Sequence, residues 1–490
     1  MGGGLMQLVA YGAQDIYITG NPQITFFKIV YRRHTNFAME TVQQSLTGTN
    51  VASSTSKKEC SSIISRNGDL VTNLYVTSST SDIVNGDAII DDCMIEIGGQ
   101  KIDKHYKEWM QIWAELTTPE SKALAYKNMT GSFYHSLNKT DTTSPVGSNL
   151  IQIPILFWFC RNPGLALPVI ALQYHEIKIK ITLGLSTDIS SASSTNPCEI
   201  KLFVDYIYLD TDERRRFAQV SHEYLIEQLQ RVESTNDVKH NLNLNHPVKE
   251  IIWTSPMTNA YGNAKIQLNG HDRFTEQEEE YFQLRQPYDY HTAVPGTNIE
   301  IQERSEIVEY NNSSNEVLKD ITTFTTTDPD LNAKAQLSAT AGLKFHSDIN
   351  PQFQLKIGDI LLATNINSSD RVISQFITIT GISNNNIYTV NNSAGNTFDD
   401  FENNSKGSLR LVSRIQHAKS RCSNLNKKIN VYSFALQPEE HQPSGTCNFS
   451  RIDNAKLVLG SAPGDAINIY ATNYNVLRIM SGMGGLAYSN

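Results

Sequence analysis

The chain is predicted to be all-β, built from two tandem copies of one strand-rich sandwich. Three observations carry that reading. First, Met94-Ile95-Glu96-Ile97-Gly98-Gly99 with residues 100–103, and Ala264-Lys265-Ile266-Gln267-Leu268-Asn269-Gly270 with residues 271–273, are both short alternating strands running into a Gly turn. Each leads into a stretch that suits a short helix, Lys104 to Trp109 and Phe274 to Glu278. Second, a looser echo follows each copy. Residues 153–160 read as a buried strand, followed by a Pro/Gly segment and a strand over 172–183; residues 431–436 repeat the theme, with Pro438 to Gly445 and a strand over 452–459. Third, charged residues make up only 19% while Asn, Ser and Thr abound, which suits many short strands joined by polar turns. The period is far longer than that of a solenoid repeat.

Taken in order, residues 1–25 are Gly-rich, turn at Asn21-Pro22 and read as an N-terminal arm. Residues 26–46 alternate well enough for one or two strands. Residues 60–78 read as strands around Arg66-Asn67-Gly68-Asp69, since Asn-Gly is a strong hairpin signal. The best helical stretch is 104–137, where Trp109, Ile112, Trp113 and Leu116 recur at helical spacing and read as core packing. Strands over 149–183 and 199–210 complete a first unit at 26–212. Residues 213–240 mix charge with short apolar patches and read as a linker. The second unit runs from Asn241 to Asn490.

That second unit is interrupted at 291–430, which has no counterpart in the first. Gln354 to Leu362 and Val372 to Ile382 alternate like strands, and Ser383 to Asn386 turns into Ile387 to Val390 as a hairpin. A structureless loop of this length would be improbable, so a small inserted β subdomain is expected.

Composition excludes several classes. A net charge of −9 gives no global field for nucleic acid or an anionic membrane, and no direct nucleic-acid contact is expected. Arg214-Arg215-Arg216 is the main basic cluster, read as an inter-domain corner or subunit contact. Cys60, Cys93, Cys160, Cys198, Cys422 and Cys447 are scattered without metal spacing and read as buried free thiols. No signal-peptide pattern is visible, Met6 breaks the myristoylation pattern, and the longest apolar run, 153–160, is too short to span a bilayer. A soluble, non-secreted chain is expected. His222-Glu223 lacks the second His of a zinc helix, and neither a Walker nor a G-x-S-x-G pattern occurs. Asp91-Asp92 and Glu278-Glu279-Glu280 read as solvated carboxylates. No catalytic residue, metal site or cofactor is assigned. Sequons stand at Asn128, Asn138, Asn311, Asn312, Asn367, Asn391, Asn403 and Asn448; the five from Asn311 to Asn403 lie in the insertion and are the glycosylation candidates.

Longer motifs add a resemblance. Gln7 to Phe37, with Tyr31-Arg32-Arg33-His34-Thr35-Asn36-Phe37, and Ile64-Ser65-Arg66-Asn67-Gly68-Asp69-Leu70 are similar to the major capsid proteins of large nucleocytoplasmic DNA viruses, especially those of algae and protists. So are Pro163-Gly164-Leu165-Ala166-Leu167-Pro168, His222-Glu223-Tyr224-Leu225-Ile226-Glu227-Gln228, Gln442-Pro443-Ser444-Gly445-Thr446-Cys447 and the stretch from Asn473 to Tyr488.

The resemblance implies a double jelly roll of two eight-stranded antiparallel sandwiches, with the inserted subdomain in the second roll. It implies a structural protein rather than an enzyme. Three chains would form a pseudo-hexagonal capsomer in the icosahedral outer shell of a large dsDNA virion, assembled in the host cytoplasm. Expected partners are two further copies, neighbouring capsomers, minor capsid or cement proteins, the penton protein, and the inner membrane through the N-terminal arm. Pro163, Gly164 and Pro168, with Gln442 and Pro443 at the equivalent place in the second roll, fix turns; with Arg214 and Arg215 they are the candidate intersubunit contacts. The family's members have a much shorter connection at 291–430, so the insertion is expected to be an outward tower. Its alternative role is contact with a host surface or glycan, for which Tyr388 and Phe398 are the aromatic candidates.

Overall fold

A computed structural model describes residues 6, 10, 12–15, 19–29, 31–78, 86–131, 151–189, 198–257, 260–299 and 420–488, and the backbone of six strands between 319 and 414. Eight strands build the first roll: β1 (Phe37–Gln44), β2 (Glu59–Ile63), β3 (Leu70–Ser78), β4 (Ile90–Ile97), β5 (Gln100–Tyr106), β6 (Ile151–Ile155), β7 (Ile177–Leu183) and β8 (Lys201–Leu209). Eight more build the second: β9 (His222–Glu233), β10 (Lys239–Asn241), β11 (Pro247–Pro256), β12 (Asn263–Leu268), β13 (His271–Asp272), β14 (Lys427–Ser433), β15 (Ala455–Leu459) and β16 (Asn468–Met480).

Their pairing repeats. The first roll has sheets ordered β1-β8-β3-β6 and β2-β7-β4-β5; the second has β9-β16-β11-β14 and β10-β15-β12-β13. Adding eight to every strand of the first roll gives the second. This is a double jelly roll, and the alternation in the sequence explains it. In β7, Ile177, Ile179, Ile181 and Leu183 are buried while Lys178, Lys180 and Thr182 are half-buried between them, so one face enters the core. Ile95, Ile153, Ile179, Leu202 and Val204 share the first core; Ile251, Trp253, Ile266, Leu457 and Ile469 share the second.

Strand register sorts the connections. Phe37 pairs with Leu209, Leu70 with Ile207, Ile63 with Lys178 and Ile97 with Ile177. The β2–β3, β4–β5 and β6–β7 connections therefore share one end of the roll. Helix α3 (Thr211–Gln219) joins β8 to β9 at that same end. By the matching order of the second roll, β13 ends and β14 begins at the opposite end, and the chain after β13 first returns to His291 beside Glu250 and Glu439.

Several expectations are corrected. Residues 60–78 are no hairpin: β2 and β3 lie in different sheets, and Gly68 lets the crossing chain press on Tyr206, whose Cβ would stand 2.8 Å from any added Cβ. Described residues 26–36 form no strand, because Phe26, Phe27, Ile29 and Tyr31 find no core and stay exposed. The apolar run 153–160 is a strand only to Ile155; Trp158–Arg161 is a helical turn whose aromatics pack inward. The strand expected over 172–183 starts at Ile177. Residues 104–106 are still β5, and α1 (Lys107–Thr117) and α2 (Glu120–Met129) follow. Phe274 to Glu278 is not helical; the helical segment comes later, as the turns Tyr281–Arg285 and Gln286–Tyr290.

The linker expected at 213–240 holds the rest of α3 and β9, a twelve-residue strand paired along its length with β16. Its mixed pattern arises because one half of a strand beside another roll can bury polar groups that find partners. The insertion is also narrower than 291–430. Gly296, Thr297 and Asn298, and residues 420–430 including Cys422, Ile429 and Asn430, lie in or against the body. Within it, strands Asp359–Ile366, Val372–Ser383 and Ile387–Asn392 belong to a six-stranded antiparallel sheet. Ser383 pairs with Ile387, so the expected hairpin is present.

Candidate assembly interface

The two rolls are joined through α1. Its apolar face, Trp109, Ile112, Trp113 and Leu116, packs on Ile252 of β11, Ile429 and Val431 of β14, and Tyr470 of β16. The Trp109 and Tyr470 rings lie 5.6 Å apart. Two carboxylates a helical repeat of seven apart lock the same face. Glu108 accepts from Tyr470 Oη at 2.7 Å, Asn468 Nδ2 at 2.5 Å and Lys427 Nζ at 2.8 Å. Burial first, and then Glu108, pushes the Tyr470 phenol far up, so it stays a donor. Glu115 is wholly buried and accepts from the backbone N–H of Arg421 at 3.0 Å, Cys422 at 2.8 Å and Ser423 at 2.9 Å. Sequence reasoning missed both glutamates. The available signal was an acid at each end of a tryptophan-rich helical stripe.

A second cluster lies at the α3 end. Arg161 of the first roll meets Glu227 of β9 at 2.6 Å, and Glu227 meets the buried Lys249 of β11 at 2.7 Å. Lys249 also donates to the Pro438 carbonyl at 2.6 Å. Next along β11, Glu250 faces His291 at 3.0 Å, and His291 reaches Glu439 at 2.9 Å. Three cations thus face three carboxylates. Burial opposes charge on His291, but Glu250 and then Glu439 outweigh it and raise its pKa to about 9. Burial likewise opposes charge on Glu250, yet His291 leaves its carboxyl below the ordinary value.

The chain closes onto the first roll. Leu477 and Ile479 of β16 enter its core. The turn after β16 then docks: Gly482 O accepts from Tyr174 N at 2.9 Å, and Gly484 O lies 2.8 Å from His175 Nδ1. Gly482 has φ +80° and leaves no room for a Cβ, which would sit 2.6 Å from the Tyr174 ring.

The candidate contact residues gather at the α3 end. Pro163 and Gly164 are exposed in a 3-10 turn, where Gly164 N donates to Asn162 Oδ1 at 2.9 Å; Pro168 is buried. Gln442 and Pro443 are exposed in the equivalent β14–β15 connection. Arg214 is bound within its own roll, to the buried Asp69 at 2.9 Å, and Arg215 is exposed. Asn311, Asn312, Asn367, Asn403 and Phe398 fall outside the described residues; Asn391 and Tyr388 lie in strand Ile387–Asn392. Asn128 and Asn448 are exposed.

A polar cleft of about 910 Å³ between the rolls is lined by Lys104, Tyr106, Arg231, Lys427 and Tyr470 among others. Its acids are engaged: Asp92 with Lys104, Glu233 with Arg231 and Glu108 with Lys427. Among the described residues no group of three or more His, Cys, Asp or Glu side chains could hold a metal ion. All six cysteines are free. Burial raises the Cys60 thiol to about 11, and burial followed by Glu115 raises Cys422 to about 12.

Comparisons with known proteins agree with this architecture. Residues 25–210 match a family described as the major capsid protein N-terminus, and residues 396–485 match the large eukaryotic DNA virus major capsid protein family. The second match starts inside 291–430, so the last part of that segment is family sequence rather than foreign to it. The chain is 42% identical over 508 residues to a major capsid protein of Pyramimonas orientalis virus, covering 100% of both chains. It is 38% identical over 565 residues to that of Phaeocystis pouchetii virus, again covering 100% of both. Among solved structures, a chain of the PBCV-1 virus capsid quasi-atomic model shares 29% identity and a TM-score of 0.59, over 95% of this chain and 100% of that one.

Proposed function

Because the chain belongs to the major capsid proteins of large eukaryotic DNA viruses, structural components of the virion shell, we propose that three copies close into a pseudo-hexagonal capsomer and that such capsomers tile an icosahedral capsid. The observation that carries this reading is the repeated sheet order. Two like rolls in each of three chains give six like corners, which suits a hexagonal lattice made from one protein. Jelly rolls also leave few strand edges open to uncontrolled pairing.

The two ends of the rolls divide the remaining contacts. The α3 end carries the N-terminal arm, with exposed Phe26, Phe27, Ile29 and Tyr31 beside Lys28, Arg32 and Arg33, and no acid between Asp15 and Glu40. An apolar and basic arm suits the inner side of the shell, against minor capsid or cement proteins or the inner membrane. The 291–430 segment, at the opposite end, then faces outward as a tower, where glycans on Asn311, Asn312, Asn367, Asn391 or Asn403 and contact with a host surface would be placed. Penton contact and assembly in the host cytoplasm belong to the same reading.

Light scattering on the purified chain tests it. One chain has a mass of 54.8 kDa, so a capsomer has three times that, about 164 kDa. A trimer that survives dilution and salt supports the reading; a monomer at every concentration overturns it.

A further inference from the structure

Equivalent sheets of the two rolls are buried differently. In the second roll, Val248 to Ser255 of β11 form an unbroken run of buried residues. The inner face of that strand meets its own core, and the outer face lies under α1 of the first roll, against Trp109, Ile112 and Trp113. In the first roll, the equivalent sheet is less covered: β3 is buried at residues 70–72 and 76–78, with Leu70 and Ile207 under Ala166 and Phe217, but only half-buried at Asn73 and Tyr75. Strand β6 alternates buried and half-buried, β8 begins with the same alternation, and β1 is exposed over its first five residues. The uncovered face presents Met39, Thr41, Asn73, Tyr75, Phe203 and Asp205, with Thr41 Oγ1 donating to Asp205 Oδ1 at 2.6 Å.

The covering element of the second roll also lacks a partner. Helix α1 follows β5; its counterpart, the helical turns 281–290, follows β13. Its inward residues are engaged, Phe282 in the second core and Gln286 Oε1 accepting from Ser433 N at 3.0 Å. Its opposite side carries Leu284, Arg285, Tyr288 and Asp289, all exposed, with Tyr288 at 79%. One helical face without a cover and one sheet face without a cover thus occur on opposite rolls, related as the two halves of the internal joint are.

We propose that the exposed face of residues 284–289 docks on the open β1-β8-β3-β6 face of a neighbouring copy, reproducing between chains the joint that α1 makes within one. The partner is a second copy of this chain, and the argument is the internal repeat: the sequence contains both surfaces, and its own second roll shows how such a sheet is covered. Arg285 is paired with Asp289 on its own face at 3.6 Å, so the match between the two faces rests on shape and apolar area rather than on net charge. The contact is heterologous, since each copy offers a helical face to one neighbour and a sheet face to the other, so a ring can close. This inference rests on the capsomer reading and assigns its contact surface.

Complementation tests it with full-length chains. Met39→Asp spoils only the sheet face and Tyr288→Asp only the helical face; both sites are exposed, at 55% and 79%. Circular dichroism should match the unsubstituted chain, and each variant should still melt in one cooperative transition, at a lower temperature where assembly is lost. Each variant alone should run at the monomer mass of 54.8 kDa, and an equimolar mixture should give a dimer of about twice that, because one intact pair of faces remains and no ring can close. If the unsubstituted chain is trimeric and both variants stay trimeric, this surface is wrong and the capsomer stands. If the variants are monomers and their mixture stays monomeric, the two faces do not pair with each other and the inference fails. If the unsubstituted chain is itself a monomer, the capsomer reading fails and takes this inference with it.

Discussion

The Glu115 carboxylate accepts the backbone N–H of Cys422 at 2.8 Å, tying a helix of the first roll to a turn more than three hundred residues later. Arg421 and Ser423 donate their own amides to the same carboxylate, so three backbone donors depend on one side chain. Glu115→Ala leaves those donors buried without an acceptor. The expected loss is about 3 kcal/mol, seen as a lower urea midpoint, with Glu115→Gln falling between. Equal midpoints for all three chains would show that the turn finds water or another acceptor.

Stability should fall as pH rises through the His291 transition. The folded state holds this imidazolium to about 9 against an ordinary 6.5. Its contribution is therefore complete below about 6.5 and lost as pH climbs through about 9. Glu250, held below its ordinary value, acts oppositely: its contribution is present above that value and lost in acid. The native melting temperature should decline between pH 6.5 and 9, and His291→Gln should flatten that decline while lowering the plateau. An unchanged slope in the variant would locate the pH dependence elsewhere.

Gly482→Ala tests the docking of the chain's last turn. The substitution forces a side chain into φ +80° and against Tyr174. A cost of about 1–2 kcal/mol is expected, together with faster hydrogen exchange at Tyr174 N, which bonds Gly482 O. Unaltered exchange there would mean that the turn tolerates displacement.

Thiol labelling should be slow in the native chain. Cys60, Cys93, Cys198 and Cys422 are buried, and burial raises each thiol above its ordinary value. At pH 7 a charged aromatic disulfide reagent should react with these four only after denaturant is added, with six thiols titrating in all. Prompt reaction of all six would contradict the packing of the first core and of Cys422 against α1 and α2.

The sequence revealed the duplication because alternating apolar residues mark a half-buried strand directly, as in β7 and β15. It concealed features that depend on distant partners. Asn67-Gly68 carries the local signature of a hairpin, yet Tyr206, brought alongside by β8, makes it a crossing between sheets. Strand β9 read as a linker because Glu227 and Gln228 are polar; they are buried because Arg161 and the Ile102 carbonyl of the other roll meet them. Glu108 and Glu115 were invisible for the same reason: each charge is answered by residues 306 or more positions away. The candidate contact residues come from motif similarity, and only strand register shows that they share one end.

Strand β16 lies between β9 and β11, though it follows both by more than two hundred residues. During synthesis, β9 and β11 must wait beside each other with their facing edges unpaired until residues 468–480 emerge. The second sheet therefore cannot close in a product cut short before β16, and neither can the first core, which takes in Leu477 and Ile479. The order of strands thus makes closure of the second sheet and completion of the first core depend on one late strand, so a chain terminated before residue 468 leaves both unfinished.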